Sequence, residues 1–105
     1  MRSSWERHYA DYLEFLVRAK QIVGWQYEPE TFWFEGVRRG VCSYKPDFKV
    51  EVKPGEYEYH EVKGYNDARS RTTLIRMDKY YPAVKVVLID ASRLRGIMRR
   101  FCVKL

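Results

Sequence analysis

The chain has 105 residues, 46% of them hydrophobic, which is enough for one folded domain with a single core and small for an enzyme. Twenty Lys and Arg against 14 Asp and Glu give a net charge of +6 and a pI near 9.4, a balance that suits a polyanionic partner. No apolar run reaches membrane-spanning length, the N-terminal MRSSWERHYADYLEF lacks an apolar leader, and Cys42 and Cys102 have no metal-binding spacing; no membrane attachment, a cytoplasmic location and buried free thiols are expected.

Ser3-Ser4-Trp5-Glu6 has the form of a capping box and predicts a helix to about Val23, ended by Gly24. Trp5, Tyr9, Tyr12, Leu13 and Leu16 make its apolar stripe. Glu6 has two readings that do not exclude each other: a cap on the Ser3 amide, or an acid on the flank of the stripe that reaches inward. Trp25 to Glu28 and Thr31 to Val37 read as strands, or as one strand broken near Pro29, with Gln26 an ordinary polar strand residue. Arg38-Arg39-Gly40 is a turn whose arginines are either phosphate contacts or solvated turn residues. A third strand is expected over Val41 to Val52.

Tyr44 to Tyr65, YKPDFKVEVKPGEYEYHEVKGY, predicts two strands joined at Lys53-Pro54-Gly55. Glu61 and Lys63, two apart, share a face. Two registers are open for Asp47. A closed four-residue turn over Lys53 to Glu56 sets Phe48 opposite Glu61 and turns Asp47 away. An odd loop, with Val52 opposite Glu56, sets Asp47 directly across from Glu61. In that second register two carboxylates and an amine converge. Such carboxylates repel unless a cation lies between them, and oxygen ligands favour a hard ion such as Mg2+, which holds a phosphodiester and activates a water. Lys63 is then placed to orient the water or stabilise charge on the phosphoryl oxygens. The plainer reading is an exposed hairpin with cross-strand charge pairs of little worth. Glu51 has the parity of Asp47 and is an outside candidate. His60 points to the opposite face from Glu61 and is assigned a structural role; Glu56 and Glu58 are expected to face solvent.

Gly64 releases the chain from the strand, and Asn66 or Asp67 caps a second helix that Pro82 stops near Tyr80. Ser70, Leu74, Met77 and Tyr81 form its inner face, and Arg69, Arg76 and Lys79 share the opposite one. These three, with Arg71, Arg38, Arg39 and Lys45, are candidate contacts to a DNA backbone, each also readable as solvated surface. Ala83 to Asp90, AVKVVLID, reads as a buried strand reached by a right-handed crossover. Ser92 to Phe101 is an amphipathic helix with Leu94, Ile97, Met98 and Phe101 on its stripe; it closes the core, packs on a second subunit or binds DNA. The order α-β-β-β-α-β-α makes an α/β fold, a mixed sheet flanked by helices.

Pro46-Asp47, then Glu61-Val62-Lys63 and Gly64, resembles the PD-(D/E)xK nuclease motif. The wider pattern is similar to small phage-encoded nucleases related to Holliday-junction resolvases of the endonuclease I type: a helix bearing Glu6, a strand bearing Gln26, the Asp strand, the E-x-K strand and a Lys/Arg-bearing helix. The resemblance covers roughly residues 3 to 90. It implies a restriction-endonuclease-like fold and a Mg2+-dependent endodeoxyribonuclease acting on branched DNA, with Mn2+ as an alternative ion. It also implies Asp47, Glu61 and the Val62 carbonyl as metal ligands, Lys63 as the catalytic amine and Glu6 as an additional acid. A junction has two symmetric cleavage points, so a homodimer follows; a phage-encoded protein would act in the host-cell cytoplasm. The residues themselves argue only for phosphodiester hydrolysis. A non-catalytic basic nucleic-acid-binding module is the alternative, served equally well by the charge and the nine tyrosines.

Overall fold

The computed structural model describes residues 4–63 and 68–101. The helix caps expected at Ser3 and at Asn66 or Asp67, the exit at Gly64, and Cys102 lie outside those residues.

Helix α1, Ser4–Arg18, buries Tyr9, Ala10 and Leu13, with Trp5, Tyr12 and Leu16 packed beside them. It ends earlier than the sequence suggests. The Gln21 amide donates to the Leu16 carbonyl at 2.8 Å and the Lys20 amide to that of Val17 at 3.0 Å, while Lys20 takes a left-handed φ of 61°. That pair of bonds closes a helix without glycine's help. Gly24 instead opens strand β1, Gly24–Tyr27, and the Val23 amide already donates to the Glu51 carbonyl at 2.8 Å.

Between residues 31 and 52 the expected long strands are broken. β2, Phe32–Trp33, and β3, Ser43–Tyr44, pair antiparallel in a small sheet of their own. Pro46 is buried and has no amide to give a ladder, so the chain bends there and β4 begins only at Phe48, running Phe48–Lys53. β5 is Glu56–Val62; helix α2, Ala68–Tyr80, then leads to β6, Val86–Ile89, and helix α3, Ala91–Phe101. The four-stranded sheet has the order β1-β4-β5-β6, antiparallel except for the parallel β5–β6 pair. The result is an α/β fold with a mixed sheet. β6 lies at its edge with only Ile89 buried, so the AVKVVLID run is less covered than its composition suggests.

Strand alternation sends Phe48, Val50 and Val62 to one face and Tyr59 and Glu61 to the other. The first face packs against Tyr9 and Leu13 of α1 and Leu94 of α3, around a fully buried Phe48. α3 thus helps close this core, one of the three roles expected of it. The second face packs Tyr59 against Phe32, Phe34, Val41 and Tyr44, with Met77 from α2. Among the described residues no helix is long and apolar enough to cross a membrane.

The hairpin register combines both sequence alternatives. Lys53 pairs with Glu56 around Pro54-Gly55, so the turn is the closed four-residue form, with Gly55 at φ 79°. The ladder then shifts between Lys53 and Glu51, leaving Val52 as a bulge, and runs from Glu51 opposite Tyr57 to Phe48 opposite His60. One further step sets Asp47 opposite Glu61. Glu51, the outside candidate, is used at the turn: its Oε2 accepts the Gly55 amide at 3.1 Å.

Candidate active site

Asp47 lies just after the proline bend, one residue before β4, and is held from two sides. Its carbonyl accepts the Glu28 amide at 2.8 Å, and its Oδ2 accepts the Val62 amide at 2.9 Å. The carboxylate therefore sits at the end of β5, beside Glu61. Glu61 Oε1 accepts the Tyr44 hydroxyl at 2.9 Å, and its Oε2 lies 3.6 Å from Lys63 Nζ. Glu6 takes the inward reading, with the Ser3 cap lying outside the described residues: at 8% exposure it accepts the Tyr27 hydroxyl at 3.0 Å and hydrogen-bonds Asp47. Three carboxylates from α1, the proline bend and β5 thus line one open cavity of about 270 Å³. Lys45, Lys63 and the first turns of α2, through Arg69, Ser70 and Thr73, complete its wall.

The electrostatics follow from burial and like charge. Burial, then the neighbouring Glu61 charge, push the Asp47 carboxyl up to about 8; the Val62 amide opposes this, and Glu6 adds to it. Burial also raises Glu61, against the Tyr44 hydrogen bond and the Lys63 charge. The Tyr44 phenol is itself held well above its ordinary value, by burial and then by Glu61, so it stays a donor. Two buried acids that resist ionising together need a shared proton or a cation. Among the described residues no three His, Cys, Asp or Glu side chains are gathered tightly enough to ligate an ion alone. Asp47 and Glu61 are the carboxylates of this lining that could hold a hard divalent cation, completed by a main-chain oxygen, and Val62 lines the same wall.

The other sequence candidates divide. Lys45 and Arg69 line the cavity; Arg38, Arg39, Arg71 and Lys79 are exposed outside its lining. Arg76 departs from the solvated helix face on which the helical wheel sets it. It is half-buried and its Nη1 donates to the Val41 carbonyl, tying α2 to the segment before β3. His60 is structural as read: buried, with Nδ1 2.5 Å from the Tyr9 hydroxyl and Nε2 3.0 Å from Glu58 Oε1. Glu58 does not face solvent; it is half-buried between His60 and Lys85, whose Nζ is 3.0 Å away. Gln26 is an exposed strand residue paired with Lys49, away from the cavity. Cys42 is half-buried and its thiol donates to the Gly40 carbonyl at 3.4 Å.

Sequence reasoning missed Tyr44 and Tyr27, the hydroxyls that orient Glu61 and Glu6. Each reaches the site from an element other than that of the acid it holds, Tyr27 in β1 against Glu6 in α1 and Tyr44 in β3 against Glu61 in β5, so spacing carried no signal for either. A scan of protein-family models and a search of curated proteins find no match to this chain.

Proposed function

We propose that the protein is a divalent-cation-dependent endodeoxyribonuclease that hydrolyses phosphodiester bonds in branched DNA. The observation that carries this reading is the convergence of Asp47 and Glu61 beside Lys63 in one solvent-open cavity. Asp47, Glu61 and the Val62 carbonyl would hold the ion. Bound there, Mg2+ or Mn2+ supplies Lewis-acid polarisation of the phosphoryl group and lowers the pKa of a ligated water.

The chain's own residues do the rest. Lys63, with a side chain 40% exposed, stands at the cavity mouth, placed to hydrogen-bond the attacking water or a non-bridging oxygen. Tyr44 fixes the rotamer of Glu61, and the Val62 amide fixes that of Asp47. Lys45 and Arg69 bring positive charge to the wall for flanking phosphates. The preference for branched DNA, the restriction-endonuclease-like fold and the homodimer rest on the resemblance of Pro46-Asp47 and Glu61-Val62-Lys63 to the PD-(D/E)xK motif; two symmetric cuts need two sites.

The test is cleavage of a labelled four-way junction and its matched linear duplex, with Mg2+, with EDTA, and with Glu61→Ala. Paired, metal-dependent cuts on the junction alone support the whole reading. Equal cutting of both substrates keeps the active site and removes the branch preference. Tight, metal-independent binding without cutting makes the protein a non-catalytic nucleic-acid-binding module.

A further inference from the structure

Trp33 is 63% exposed and is the largest of the exposed apolar side chains among the described residues. Its backbone is well anchored. Phe32 and Phe34 on either side are buried, the Trp33 carbonyl accepts the Tyr81 hydroxyl at 2.7 Å, and the Phe34 amide donates to the Cys42 carbonyl at 2.9 Å. The ring is thus presented by a rigid segment.

Its location is informative. Trp33 pairs directly with Ser43, and Ser43, Tyr44 and Lys45 form one wall of the cavity that holds Asp47 and Glu61. Cross-strand partners stand about 5 Å apart at Cβ, so Trp33 stands beside Ser43 at the rim, outside the cavity lining itself and on the opposite face of the β2–β3 pair from Tyr44. The connection from β2 to β3 carries Arg38 and Arg39, both exposed and without an ion pair among the described residues. Tyr57, another exposed aromatic, differs: Lys49 Nζ already covers its ring at 4.5 Å.

We propose that Trp33 is a stacking platform for an unpaired base of the DNA strand that enters the site. The substrate must then present an unpaired nucleotide beside the cut, in a single strand or at an opened branch point. This rests on the nuclease reading above. Every base has a π-face, so stacking on an indole tolerates any sequence, and a paired duplex keeps those faces buried in its own stack. Arg38 and Arg39 take the neighbouring phosphates. A second copy docked two-fold on this same rim is a poorer occupant, because its own Arg38 and Arg39 would be set against these two.

The test is equilibrium binding in EDTA, by fluorescence anisotropy, to a labelled single strand of about 20 nucleotides and to its matched duplex. Trp33→Ala is compared with wild type and with Trp33→Phe; circular dichroism checks the fold, and sedimentation checks the oligomeric state. The expected result is a loss of roughly 5- to 100-fold on the single strand, under twofold on duplex, with Trp33→Phe retaining most of the affinity. Quenching of 2-aminopurine placed in the strand, lost in Trp33→Ala, is the matching spectroscopic sign. An equal loss on both DNAs, no loss on either, or a change of oligomeric state overturns the proposal. Because binding is read without a cation, Trp33-dependent single-strand binding by a chain that never cleaves would sink the nuclease reading and leave the platform standing. Cleavage that ignores Trp33→Ala, with binding also unchanged, would do the reverse.

Discussion

Replacing Asp47 with asparagine should stabilise the protein when no divalent cation is present. Asn keeps the shape of the side chain and an oxygen to accept the Val62 amide, but removes the charge that burial and Glu61 oppose. In the unfolded chain Asp47 loses its proton near its ordinary 3.8; in the folded chain it keeps it to about 8. Between those values the native state binds the extra proton, so this group's contribution to stability is full below 3.8 and is lost as pH rises toward 8. Three pH units at 1.36 kcal/mol each set a ceiling of about 4 kcal/mol at pH 7. Hydration at the open cavity reduces this to about 1–2 kcal/mol. Urea denaturation in EDTA at pH 5, 7 and 8 reads the effect as the difference between variant and wild type. The advantage of Asp47→Asn should grow with pH. A variant less stable than wild type at pH 7, or an advantage that stays flat from pH 5 to 8, would refute the reasoning.

Other outcomes follow from neighbouring groups. Tyr44→Phe removes the 2.9 Å donor to Glu61 and should weaken Mn2+ binding about 10- to 100-fold by calorimetry, while the far-ultraviolet circular dichroism stays native. His60, pushed below its ordinary 6.5 by burial, must gain a buried proton in acid; stability from this group is present above 6.5 and falls below it by up to about 1.4 kcal/mol per pH unit. His60→Gln should flatten that acid slope in thermal melts. Arg76→Met leaves the Val41 carbonyl without its donor and should cost about 1–2 kcal/mol in urea denaturation. Arg69→Met should leave stability within about 0.5 kcal/mol and instead lower the salt slope of DNA binding by about 1.

The elements that carry the site were legible because their signals are local. Period-two alternation around Pro54-Gly55 marks the hairpin, and the parity of Glu61 and Lys63 follows from it. The register was not legible, because it turns on one residue: the Val52 bulge restores the pairing that a closed turn alone would have lost. Pro46 makes the bend before β4, since a proline inside a central strand forfeits a ladder bond, yet alternation runs through it and suggests the single strand expected over Val41 to Val52. The flank position of Glu6 was visible on a helical wheel; its burial needed the sheet against which α1 packs. Arg76 and Glu58 read as solvent-facing because their partners, the Val41 carbonyl and Lys85, lie 35 and 27 residues away in sequence.

The most direct measurement is single-turnover cleavage of a labelled four-way junction in Mg2+ by wild type and by Asp47→Asn, with the affinity of each for the same junction. The account predicts metal-dependent cutting by wild type, none by Asp47→Asn, and binding by the variant that is as tight or tighter, since it has lost a negative charge beside the phosphates. Cutting by Asp47→Asn at the wild-type rate, or the absence of cutting by wild type with any divalent cation, would contradict it.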